Sequence, residues 1–180
     1  ARLQHPNIVT VYDYAEEGDT VFIAMELVQG KELNEYFAQK QRFTLKSALG
    51  IVSQLLDGLA YSHRNNVVHR DIKPANIILV DGRGAVKIAD FGIARIDTSE
   101  VTIPGDIMGT PTYMAPEQLL GQRVDGRADL YSAGVIFYEL LTGEKPFTGN
   151  NITVIMQSVL SDDPPAPSQR NAQLPPLCDT

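Results

Sequence analysis

Apolar residues along this chain fall into two periods. Ile8 to Tyr14 and Thr20 to Leu27 are rich in β-branched and aromatic residues, and Glu16-Glu17-Gly18-Asp19 lies between them; this pattern predicts a β-hairpin. A polar lead-in, Ala1 to Asn7, ends in the turn signal His5-Pro6-Asn7. From Thr44 to Asn66 the period lengthens. Ala48, Ile51, Val52, Leu55, Leu56, Leu59 and Ala60 form one stripe at helical spacing, with Thr44 as the N-cap. Ile77 to Val80 and Ala85 to Ile88 flank Asp81-Gly82-Arg83-Gly84, so a second hairpin is expected. Arg127 to Gly143 reads as another long apolar helix, closed by Gly143, with Pro146 preventing its continuation. Asn150 to Ser161 predicts a further helix, and Asp163-Pro164-Pro165-Ala166-Pro167 opens an extended, proline-rich tail. No repeats or low-complexity blocks interrupt the pattern.

Composition narrows the classes. The chain has 180 residues, enough for one domain with a core. A net charge of −7 lacks the basic footprint that generic nucleic-acid binding needs, so no nucleic-acid partner is expected. Cys178 is the only cysteine, which rules out a disulfide within the chain and fits a reducing compartment. No apolar run approaches the ~20 residues of a membrane span, and no signal-peptide pattern opens the chain. A cytoplasmic setting without membrane contact is therefore expected for this segment, whose parent could be anchored through a segment elsewhere. The first residue, Ala1, falls in mid-pattern, and the chain reads as a piece of something longer.

The second hairpin has a chemical consequence. It brings the loop before its first strand beside the loop after its second. Asp71, Asn76 and Asp90 are thereby expected to converge, with Lys73 among them. Three oxygen-bearing side chains and an ammonium suit a Mg²⁺-nucleotide, because Mg²⁺ takes hard oxygen ligands and keeps waters and phosphates as the rest.

His69-Arg70-Asp71 with Lys73 and Asn76, then Asp90-Phe91-Gly92, then Ala115-Pro116-Glu117, together resemble the protein kinase motifs in order and spacing. HRDIKPAN, DFGIAR and GTPTYMAPEQ are most similar to bacterial eukaryotic-like serine/threonine kinases. The resemblance implies an α+β fold, with residues 1–28 ending a β-rich small lobe and 29–180 forming a mainly helical, incomplete large lobe. It makes Met25 the gatekeeper and Glu26, Leu27 and Val28 the hinge, whose extended backbone pairs with adenine. Glu32 falls near the ribose, although a glutamate at a helix start also suits the helix dipole. Ile78 lies under adenine. ATP is the implied cosubstrate, with Mg²⁺, or Mn²⁺ in its place, held by Asn76 and Asp90.

By the same resemblance, Asp71 orients the substrate hydroxyl and accepts its proton, while Lys73 neutralises the moving phosphoryl group. Phe91 packs on His69 beside Gly92, Thr110 bonds near Asp71 and Lys73, and Glu117 belongs to the A-P-E element. Asp129 holds the catalytic-loop backbone, a role compatible with its being an ordinary first-turn acid. Arg70 waits for a phosphate on the segment from Ile93 to Met108, where Thr102 is the first choice over Thr98 and Ser99. His63 reads as a structural donor near its helix end. The implied partners are a protein with a Ser or Thr acceptor and a second copy of the enzyme for autophosphorylation.

Ile72 stands where the family motif has Leu, keeping its apolar role. Nothing before Ile8 supplies a glycine-rich phosphate loop or its strand lysine, so these 180 residues alone are expected to be weak or inactive. Two other readings stay open: a pseudokinase scaffold, and a small-molecule phosphotransferase.

Overall fold

A computed structural model describes residues 3–18, 20–82, 84–91 and 111–179. β1 (Val11–Glu17) and β2 (Thr20–Met25) pair antiparallel from Val11↔Met25 to Glu17↔Thr20. Their turn needs a residue that tolerates positive φ, and Gly18 supplies it at φ 60°. The hairpin starts later than its sequence pattern suggests. Ile8 and Val9 leave it to lie parallel to the last strand of the other sheet, joined by Val9 N–H to the Ile88 carbonyl at 2.9 Å. The reason is burial: Ile8 is 1% exposed there, whereas the hairpin has no covered face to offer.

The second sheet has the order β3-β4-β5, all antiparallel, from β3 (Gly30–Glu32), β4 (Ile77–Val80) and β5 (Val86–Ile88). β3 has no readable pattern. Gly30 permits its close approach, since a Cβ there would lie 2.3 Å from the Leu79 carbonyl oxygen. Glu32 then caps α1 (Leu33–Ala38), its N–H donating to Glu35 Oε1 at 3.1 Å.

α2 (Leu45–Arg64) begins at Thr44, whose Oγ1 accepts the Ser47 N–H. Its buried face is Ala48, Ile51, Leu55, Gly58, Leu59 and Ser62. The sequence stripe was too wide on one side, because Leu56 and Ala60 face outward. Gly58 replaces them inward, and the reason is space: a Cβ there would meet Ile88 Cδ1 at 2.8 Å. Gln54 ties the same helix to β5, accepting from Val86 N–H at 3.0 Å and donating to the Gly84 carbonyl at 2.9 Å.

α3 (Pro116–Leu119) and α4 (Gly126–Thr142) follow, the latter capped by Asp125, which accepts the Arg127 N–H. Gly143 ends α4 in the left-handed conformation at φ 72°. α2, α4 and the three-stranded sheet share one core, in which Leu55, Leu59, Ile77, Ile88 and Ile136 are fully buried. Each such side chain contributes roughly 1.5–3 kcal/mol of transfer free energy. α5 is Ile152–Ser161. The expected extended tail is folded beyond residue 166: α6 (Pro167–Arg170) and a 3₁₀ turn, Pro176–Asp179, pack back on the body. Asn171 Nδ2 donates to the Leu141 carbonyl at 2.9 Å and Leu174 is buried, which is why the prolines do not leave the chain extended. Among the described residues, no helix is long and apolar enough to cross a membrane.

Candidate active site

Between the end of α2 and the start of β4, the chain makes a loop that carries most of the polar chemistry. One buried carboxylate holds it. Asp129, on the first turn of α4 and 1% exposed, accepts the backbone N–H of His69 at 2.9 Å and that of Arg70 at 2.7 Å. Its Oδ2 also meets His63 Nε2 at 2.7 Å. Gly126 makes room for that imidazole, because a Cβ would sit 2.8 Å from its ring atoms. The His63 tie joins residues 66 positions apart, so nothing local in the sequence announced it.

His69 is 2% exposed. Its Nε2 donates to the Ala89 carbonyl at 2.9 Å, and its Nδ1 accepts the Asp71 N–H at 3.2 Å. This is the hydrogen-bond pattern of a neutral imidazole. Burial pushes its pKa below the ordinary histidine value, against the opposing pull of the Ala89 carbonyl and nearby carboxylates. Phe91 lies edge-on to the same ring at 4.7 Å between centroids.

Asp71, Lys73 and Asn76 come together. Lys73 Nζ is 2.7 Å from Asp71 Oδ2, and Asn76 Nδ2 donates to the Asp71 carbonyl at 2.8 Å and to Oδ2 at 3.2 Å. The Asp71 side chain is 55% exposed, and an ion pair that open adds little to stability. Asn76 is buried on the 3₁₀ turn Pro74–Asn76, and its carbonyl accepts the Ala89 N–H at 2.9 Å. Asp90 follows directly, at a φ of 58°. It sits between Ala89, bonded to His69 and Asn76, and Phe91, packed on His69, so the backbone around it is tied to the same cluster. Its carboxylate is exposed.

Glu32 and Ile78 are register partners on β3 and β4, and β4 begins directly after Asn76. The stretch expected to serve as the hinge, residues 26–28, is engaged at Glu26. Glu26 N–H donates to the Thr10 carbonyl at 2.8 Å, and its carboxylate takes Lys87 Nζ at 2.9 Å. Burial alone would raise the Glu26 carboxyl, but the Lys87 and Thr10 bonds together hold it below its ordinary value. Among the described residues, no backbone bond engages the N–H of Leu27 or Val28.

The A-P-E segment walls the other side. A small cleft beside Asp71 and Lys73 is lined by Tyr113, Met114 and Gln118. The Tyr113 hydroxyl donates to Glu139 Oε2 at 2.5 Å, a contact between residues 26 positions apart that no local pattern announces. Burial raises both groups, and the Lys145 ammonium lies 5.4 Å from the Tyr113 ring centre. Glu117 is half-buried on α3, and with burial it raises the Tyr131 hydroxyl. Gly92, Thr98, Ser99, Thr102 and Thr110 lie outside the described residues.

The family model for the protein kinase domain matches residues 1–175. Serine/threonine-protein kinase PrkC of Bacillus subtilis is 39% identical over 174 residues, covering 96% of this chain and 27% of its own length. Serine/threonine-protein kinase PknA of Mycobacterium tuberculosis is 43% identical over 174 residues, covering 93% of this chain and 40% of its own. Serine/threonine-protein kinase PknB of Mycobacterium leprae is 41% identical, covering 95% and 28%. The chain thus spans less than half the length of each of these relatives. A loop pinned from α4, an Asp-Lys-Asn cluster on it, and a domain match over nearly every residue lead to one statement: this chain belongs to the protein kinase domain family.

Proposed function

We propose that the chain is catalytic machinery of a protein serine/threonine kinase, moving the γ-phosphoryl group of ATP to a protein hydroxyl. The observation that carries this reading is the Asp71, Lys73 and Asn76 cluster, with Lys73 Nζ 2.7 Å from Asp71 Oδ2. The names of the three relatives support it. Residues 1–28 act as the end of the nucleotide-covering lobe and 29–180 as the body that holds the catalytic loop.

Asp71 uses Oδ2 for Lys73 and Asn76, and Oδ1 is left to orient the incoming hydroxyl and take its proton. Lys73 is half-exposed and reaches the cleft, where it would offset charge on the transferring group. Asn76 spends its Nδ2 on Asp71, leaving Oδ1 for a cation together with the Asp90 carboxylate. Mg²⁺ or Mn²⁺ would leave much of its shell to phosphates and water, so two protein ligands would suffice. A cation held by Asn76 and Asp90 would supply charge neutralisation for the nucleotide phosphates. Glu26 and Val28 backbone groups would receive adenine, with Ile78 beneath it and Glu32 toward the ribose.

Arg70 is exposed and would pair with a phosphate on Thr102, or on Thr98 or Ser99, placed there by a second copy of the enzyme. Gly92 would complete the D-F-G element, Thr110 would bond near Asp71 and Lys73, and Glu117 would anchor the A-P-E element. An ATP-using enzyme of this kind suits a cytoplasmic setting. The test incubates the full-length protein with γ-labelled ATP, Mg²⁺, a Ser/Thr-containing protein and a panel of small alcohols. Label on serine or threonine is the expected result. Label on small alcohols alone, or nucleotide bound without transfer, would overturn the reading.

A further inference from the structure

We propose that Gln118 is a positioning residue that sets the direction of Asp71 by gripping the Arg70 carbonyl; this rests on the kinase reading above. Arg70 adopts φ 67°, the left-handed region that strains a non-glycine residue. Such a conformation persists only when its surroundings enforce it. Here both sides of the residue are held. The Arg70 N–H goes to Asp129 Oδ1 at 2.7 Å, and the Arg70 carbonyl accepts Gln118 Nε2 at 2.7 Å.

The orientation of the Gln118 amide follows from its partners. A backbone N–H can only donate and a carbonyl can only accept. Gln118 Oε1 takes the Ala115 N–H at 3.0 Å, so Nε2 must face Arg70. The side chain therefore spans two segments: the start of α3, in the A-P-E element, and the peptide that leads into Asp71. The carbonyl it grips belongs to the peptide plane whose N–H is that of Asp71. Release of that carbonyl leaves the plane held only by its N–H, on His69 Nδ1 at 3.2 Å, and so loosens the Asp71 carboxylate and the Arg70 guanidinium.

A residue that merely caps α3 would give a different mutational pattern. Gln118→Glu keeps an acceptor for Ala115 and the same shape, but turns an oxygen toward the Arg70 carbonyl. Gln118→Met loses both bonds without that repulsion. In the full-length protein, Gln118→Glu should lower kcat about tenfold and Gln118→Met about threefold, with KM for ATP within about twofold in both. Amide hydrogen exchange at Arg70 and Asp71 should quicken in the same order, and this readout does not depend on turnover. A Gln118→Glu enzyme indistinguishable from wild type, with Gln118→Met impaired, would reduce Gln118 to a helix cap and overturn the proposal. So would unchanged exchange at Arg70 and Asp71 in Gln118→Glu. If wild type transfers no phosphate yet exchange responds as expected, the kinase reading falls and the clamp stands.

Discussion

The two sheets use similar residues to opposite ends. In the β1–β2 hairpin, Tyr12, Tyr14, Val21, Phe22 and Met25 are all between 42% and 54% exposed. In the β3-β4-β5 sheet, Ile77, Val86 and Ile88 are at most 1% exposed. Strand-forming residues alone do not make a core. The second sheet has one because α2 lies against it, with Gly58 admitting Ile88 and Gln54 bonding β5. The loop from His69 to Asn76 runs from that helix to that sheet, so its order is inherited from the buried side. The hairpin is joined to the buried side through the Glu26–Lys87 pair and the Asn7–Val9 strip.

This contrast can be broken by mutation, and Asp129→Ala should show the largest effect. It leaves His63 and two backbone N–H groups without their acceptor, at a cost of roughly 3–5 kcal/mol in a denaturant titration. Exchange at the His69 and Arg70 amides should rise with it, while the hairpin amides stay as they are. Leu59→Ala, in the shared core, should lose about 3 kcal/mol by the same titration. Val21→Ala, chemically milder and in the hairpin, should lose less than about 0.5 kcal/mol. Equal losses at Leu59 and Val21 would erase the distinction between the sheets.

A smaller effect separates two carboxylates by the sign of their pH dependence. Glu139, raised mainly by burial, binds its proton more tightly folded than unfolded. Stability should therefore fall as pH rises from about 4.5 upward, and Glu139→Gln should flatten that slope. Glu26 is lowered by Lys87 and Thr10. Its contribution is present above about 4.5 and lost as pH falls through the folded value, so Glu26→Gln should flatten the opposite slope. Thermal melts across pH 3 to 8, roughly the range that brackets both, would read the two signs.

Sequence legibility followed the range of the forces involved. The Asp81–Gly84 turn and the Thr44 cap are local chemistry, and both were readable. β3 was not, since Gly-Lys-Glu has no alternation and becomes a strand only because β4 pairs with it. Ile8 and Val9 looked like hairpin residues and left for β5, where burial was available. The tail was read from its prolines, yet Asn171 and Leu174 find partners on the body that no local pattern encodes. At the site, the motif residues were legible. The His63–Asp129 and Gln118–Arg70 bonds were not, because each joins segments far apart in the chain.

In the proposed function, Asp71 acts in transfer rather than in nucleotide binding. Its most direct test measures γ-phosphate transfer and Mg²⁺-ATP affinity on one preparation of full-length protein, wild type against Asp71→Asn. The expected result is a loss of transfer of at least about a hundredfold, with affinity changed by less than about threefold. Transfer retained by Asp71→Asn, or affinity lost in step with it, would contradict the account.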